Sequence, residues 1–186
     1  VRAVAELAPR VEVVEPGWLC VAARGPARYF GGDQAFAERL VAVVRETLDR
    51  IDHHADRPAE HGVELGVGVA DGRSAAAIAA RLAARRREPV VVVPAGSSPA
   101  FVERLSIAWL RELGEVDPDL VDLFVRLGVR TLGGLAALDP GDVLARFGPV
   151  GLHAHRLAGG ADSRPPATSD PPPEWWVEHP FEEPVV

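Results

Sequence analysis

At 186 residues, 47% hydrophobic and 25% charged, the chain has room for one domain plus a small module and is too apolar for a disordered sequence. Its single cysteine, Cys20, excludes an internal disulfide and a cysteine-based zinc site, and it reads as a small buried hydrophobe. No apolar run of about 18 residues and no signal-like start is present, so a cytoplasmic protein without a membrane segment is expected.

The net charge of −7 is unevenly spread. Residues 1–104 hold 14 basic and 14 acidic groups, residues 105–165 hold 6 and 8, and residues 166–186 hold 5 acids and no base. A near-neutral body permits weak phosphate binding without strong steering. Every basic residue is arginine, and with the heavy use of Ala, Gly, Pro and Val this looks like the composition of a GC-rich bacterial genome, so no single arginine gains meaning from it. Val1 stands where a methionine would, which suggests a start inside a longer parent chain or after processing.

Residues 1–8 read as the last turns of a helix, stopped by Pro9. Two short apolar runs, Val11–Val14 and Trp18–Ala23, flank Pro16-Gly17 and predict a β-hairpin. Asp33 is placed to cap a helix to about Arg50, with Phe36, Leu40, Val43, Val44 and Leu48 at helical spacing. Asp52 to Gly62 is polar and turn-like. Val63–Ala70 reads as a strand, and Asp71 as the cap of an alanine-rich helix to about Arg86, able to pack very closely on a sheet. Pro89 stops that helix, and residues 90–94 (VVVVP) read as a buried strand.

Residues 106–159 show no strand pattern, only short helical pieces with Asp117, Thr131 and Asp139 as N-caps. The tail from Ser163 is proline-rich and acidic, with Trp175 and Trp176 adjacent, and reads as an extended linker or docking segment. The fold class expected is a partial α/β (α+β) domain over 1–104, an all-helical module over 105–162 and a linker over 163–186. Short helices flank turns near Gly114 and near Gly128. Such helix-hairpin-helix units grip phosphates through backbone N–H groups, helix N-termini and glycines that allow close approach, although an ordinary αα-corner has the same spacing.

Three stretches in the helical region resemble the thumb of Y-family (translesion) DNA polymerases: Leu127-Gly128-Val129-Arg130-Thr131-Leu132-Gly133-Gly134-Leu135, then Arg146-Phe147-Gly148, then Leu157-Ala158-Gly159-Gly160-Ala161-Asp162. The earlier segments agree in order. Val11-Glu12-Val13-Val14 resembles the strand before that family's acidic hairpin, and Gly68-Val69-Ala70-Asp71-Gly72-Arg73 its strand-to-helix turn. Phe101 to Leu105 resembles the entry to the thumb, and Pro180-Phe181-Glu182-Glu183-Pro184 the linker to the little finger. The resemblance implies a partial palm, a thumb and that linker, with DNA contacts at Gly114, Gly128, Arg130, Thr131, Gly148 and Gly151.

The departures point to function. Active members carry an adjacent Asp-Glu pair on the hairpin, which helps hold two Mg²⁺ ions; the matching positions here are Gly17 and Trp18. The family's first metal-binding aspartate lies on an N-terminal strand that this chain lacks, and Arg73 stands where a lysine holds the triphosphate. The pattern is similar to the catalytically inactive ImuB branch, as is Ala23-Arg24-Gly25 followed by Tyr29-Phe30-Gly31-Gly32. This resemblance implies a non-catalytic subunit, without cofactor or metal, active in damage-induced (SOS) mutagenesis near the nucleoid. Its implied partners are DNA, an error-prone polymerase, an ImuA-type protein and the sliding clamp.

Other readings stand beside it. Asp52, His53, His54, Asp56 and His61, or His153 with His155, are the candidates for a metal site, but adjacent loop histidines lack ligand spacing. A pure interaction module is favoured by Glu115, Asp117 and Asp119, which repel phosphate, with Trp175 and Trp176 as a partner anchor or as residues packed on the body. Arg85-Arg86-Arg87 serves the helix dipole and solubility, or touches a phosphate backbone. A fragment of a catalytic translesion polymerase is the third alternative.

Overall fold

The computed structural model describes residues 1–52 and 64–160. After a short helix α1 (Arg2–Ala5), β1 (Val11–Glu15) and β2 (Trp18–Val21) pair antiparallel across Pro16-Gly17. Proline fixes the first turn position, and Gly17 takes φ +86°, which suits a type II turn. The register slips between Val13 and Glu15, so the end of the strand carries a bulge.

Helix α2 (Arg24–Phe30), which includes Gly25-Pro26, lies in a stretch to which the sequence periodicity assigns no element. Proline is tolerated in a first turn, where its missing N–H has no helical partner to lose. Gly31, at φ +92°, ends the helix in the left-handed conformation. Helix α3 (Asp33–Asp52) follows at once, with Asp33 in its first turn. Val4, Ala8, Val11, Ala27, Phe36 and Leu40 form a buried cluster joining α1, the hairpin, α2 and α3.

β3 (Val67–Val69) and β4 (Val90–Val92) pair in parallel through α4 (Arg73–Arg86), a βαβ unit. β3 is shorter than the run read from the sequence, and its three residues pair with the three of β4. The alanines of α4 let the helix lie directly on the strand. A Cβ on Gly68 would stand 2.2 Å from the Ala76 carbonyl oxygen, and one on Gly66 the same distance from that of Ala80. Asp71 does not cap α4; Gly72 occupies that position without a side-chain bond. The Asp71 carboxylate instead accepts from the Gly96 N–H and from the Ser98 hydroxyl, each at 2.9 Å. The Gly96 N–H, then the Ser98 hydroxyl, hold this carboxyl below the usual carboxylate range. The β3–α4 turn is thereby tied to the loop after β4.

The remaining named elements are helices: α5 (Ser98–Val102), α6 (Trp109–Glu112), α7 (Pro118–Arg126), α8 (Leu132–Ala136) and α9 (Pro140–Ala158). Asp117, Thr131 and Asp139 cap α7, α8 and α9 as their sequence contexts predict, accepting from the N–H groups of Asp119, Gly134 and Asp142. α9 breaks at Gly148, where φ is +67° and ψ −165°, just before Pro149. The larger core joins Ala75, Ala77 and Ile78 of α4 to Leu110, Phe124, Leu132, Leu135 and Leu157, so it runs across residue 104 without a gap. Within it Phe124 meets Phe147 edge to face at 5.0 Å. No described helix is long and apolar enough to cross a membrane.

Candidate nucleic-acid interface

The β1–β2 turn places Gly17 at an exposed tip, and Trp18 folds back from it. The Trp18 ring packs on the larger core and lies under the Arg81 guanidinium, 4.0 Å from the ring centroid. This position serves packing. Neither residue offers a metal ligand, so the hairpin turn does not fit the pair of Mg²⁺ ions that the family resemblance implies. Among the described residues no group of three or more His, Cys, Asp or Glu side chains is placed to hold a metal.

Arg73, at the start of α4, points into the protein rather than toward a ligand. Its Nη1 lies 3.2 Å from Glu12 Oε1, with side-chain exposures of 9% and 11%. The ion pair joins β1 to α4. Sequence spacing carries no signal for it, because the two residues lie far apart in the chain.

The candidate phosphate-gripping residues fall on separate turns. Gly114, between α6 and α7, has φ +72°; Gly128, between α7 and α8, has φ +89°. Both are exposed, with open space where a Cβ would stand. Arg130 is exposed, but its carbonyl accepts from the Ile107 N–H, and Thr131 forms a β-bridge with Ser106. At the start of α8 the N–H groups of Leu132 and Gly133 donate to the Leu105 and Glu103 carbonyls, and that of Gly134 to Thr131 Oγ1. The first-turn donors of α8 are thus engaged inside the molecule.

Gly148 lies at the break in α9, while Gly151 is buried: a Cβ there would stand 2.3 Å from Phe147 Cβ. The structure brings the Gly114 and Gly148 turns together. Glu115, Val116, Asp117, Asp119 and Leu120 from one side meet Pro149, Val150 and His153 from the other around a depression of about 400 Å³. His153 Nε2 sits 3.7 Å from Glu115 Oε2. The Gly128–Thr131 turn contributes nothing to its lining.

Arg85 was read with the arginine run at the end of α4. It bonds Glu112 at 2.6 Å and lies over the Trp109 ring, 4.7 Å from the centroid, so it ties α4 to α6. His53, His54, Asp56, His61, Trp175 and Trp176 lie outside the described residues.

No family model matches the chain, and no solved structure matches it. Curated relatives do. The chain is 39% identical over 106 residues to a DNA polymerase IV of Halobacterium salinarum, covering 56% of this chain and 24% of the relative. It is 31% identical over 133 residues to that of Caulobacter vibrioides, 71% of this chain and 31% of the relative. With that of Moorella thermoacetica it shares 27% identity over 168 residues, 88% of this chain and 36% of the relative. The chain therefore spans about a quarter to a third of the length of these relatives. Over that share it is similar to Y-family DNA polymerases, as its ordered motifs imply.

Proposed function

We propose that the chain is a non-catalytic, polymerase-like scaffold that binds DNA weakly and assembles partners for translesion synthesis. In this reading residues 1–104 are a partial palm and residues 105–162 a thumb. The observation that carries it is Trp18. Where the family resemblance expects an acid, an indole packs on the core under Arg81, next to a glycine without a side chain. The Arg73–Glu12 pair supports it further, since a guanidinium turned inward against a carboxylate is not offered to a triphosphate. Loss of the acids with retention of the scaffold fits the ImuB branch, whose resemblance supplies the partner classes: an error-prone polymerase, an ImuA-type protein and the sliding clamp.

DNA contact in this reading is sequence-independent and rests on the exposed Gly128 turn and on Arg130. A near-neutral body gives it little electrostatic help, so binding is weak, and salt competes with the few phosphate contacts it makes. Primer extension by the full natural gene product tests the catalytic half of the proposal. No Mg²⁺-dependent nucleotide incorporation is expected, and clear Mg²⁺-dependent incorporation overturns the scaffold reading in favour of a catalytic polymerase. Fluorescence anisotropy with labelled primer–template tests the other half: binding at low salt that is lost at moderate salt supports DNA contact, and no binding at low salt removes it.

A further inference from the structure

We propose that the depression between the Gly114 turn and the break in α9 docks a short segment of a partner protein that carries arginine or lysine beside leucine, isoleucine, valine or phenylalanine. The inference rests on the scaffold reading for the existence of a partner and on its own geometry for where that partner sits.

Four of the lining residues, Val116, Leu120, Pro149 and Val150, are apolar. Val116 is buried, Leu120 is half-buried, and Val150 stands 64% exposed beside the exposed Pro149. A valine held out on the N-terminal turn after a helix break is available to a neighbouring side chain. The space of about 400 Å³ takes two or three side chains, within the range of binding clefts.

The charge of the lining selects the occupant. Glu115, Asp117 and Asp119 all border the depression. The nearby Arg111 is committed to Asp122 on α7, so it does not offset them. His153 faces Glu115. A phosphate backbone brought here meets carboxylates, and like charges across an interface are repulsive. A basic side chain meets complementary charge at the rim, while its apolar neighbours bury Val150 and Leu120, the division of labour of protein interfaces. The chain's own segment 166–186 is a poor occupant because it carries five acids and no base.

The test is a peptide-display selection on the whole chain, using random segments of roughly a dozen residues and subtraction on the Asp119→Arg/Val150→Glu variant. Both side chains are exposed, and circular dichroism with a thermal midpoint confirms that the variant folds; if it does not, Val150→Ser takes its place. The selected peptides are expected to combine basic and apolar residues, to bind the native chain at least tenfold more tightly than the variant, and to shift the amide resonances of Val116, Leu120 and Val150. Selection of base-free or acidic peptides, equal binding by the variant, or shifts elsewhere overturns the proposal. Groove amides that move with primer–template DNA and not with the peptides assign the surface to nucleic acid. Primer extension fails or succeeds independently of all these outcomes, so the scaffold reading and the docking site are judged separately.

Discussion

The Arg81 guanidinium lies 4.0 Å from the centroid of the Trp18 ring, and joins the β1–β2 hairpin to α4 at the point where the family resemblance expects a catalytic acid. A cation over an indole face adds to the burial of the ring itself. Trp18→Ala therefore costs about 2 to 3 kcal/mol of folding stability, at the low end for a large aromatic because the ring is only half-buried. Trp18→Phe recovers most of that loss. Urea denaturation of the two variants checks the order; an Ala variant as stable as the native chain contradicts the packing role.

The Glu12–Arg73 pair has a different energetic character. Both side chains are nearly buried, so removing one strips the other of this ion-pair contact in a poorly solvated place. Arg73→Met costs about 3 kcal/mol or more, and the Glu12→Leu/Arg73→Met double variant loses clearly less than the sum of the two single changes. A double-mutant cycle in urea measures the coupling, and simple additivity contradicts it.

Gly68 is fixed by the approach of α4. A methyl group there stands 2.2 Å from the Ala76 carbonyl oxygen and 2.3 Å from the Ala80 backbone nitrogen, neither of which can swing aside. Gly68→Ala forces helix and strand apart and costs about 3 kcal/mol. Gly17→Ala, at an open turn with positive φ, costs about 1 kcal/mol, from backbone strain alone. Thermal midpoints of the two variants check the ranking.

These positions differ in how far the sequence announces them. Capping is local chemistry, so Asp117, Thr131 and Asp139 are legible from three or four neighbouring residues, and each accepts the expected N–H. Pro16-Gly17 likewise specifies its own turn. Asp71 reads as the same kind of cap, yet its carboxylate finds Gly96 and Ser98, about a quarter-hundred residues away, because the βαβ unit folds their loop against it. Helix α2 is hidden by Gly25-Pro26, a pair that reads as a breaker when the position of the proline in the first turn is unknown. In the candidate interface, the glycine turns show in the spacing. The meeting of the Gly114 and Gly148 turns, and the engagement of the α8 donors with residues 103–105, depend on packing between elements and leave no pattern in the chain.

Asp71 also makes stability depend on pH. Its folded pKa is lowered, first by the Gly96 N–H and then by the Ser98 hydroxyl, so the contribution is present above the unfolded carboxyl value and fades as pH falls through the folded one. The difference in denaturation midpoint between the native chain and Asp71→Asn is expected to be largest at neutral pH and to shrink as pH falls below the ordinary carboxylate range. A difference that persists unchanged into acid contradicts this assignment.

The central claim is that the hairpin turn has kept its place in the scaffold and lost its metal chemistry. The most direct measurement is a Mn²⁺ titration of the full natural gene product with primer–template DNA, following free Mn²⁺ by electron paramagnetic resonance. The account predicts no stoichiometric Mn²⁺ bound beyond that held by the DNA alone, in the native protein and in Trp18→Phe alike. A stoichiometric Mn²⁺ site that forms only when the protein is present would contradict it.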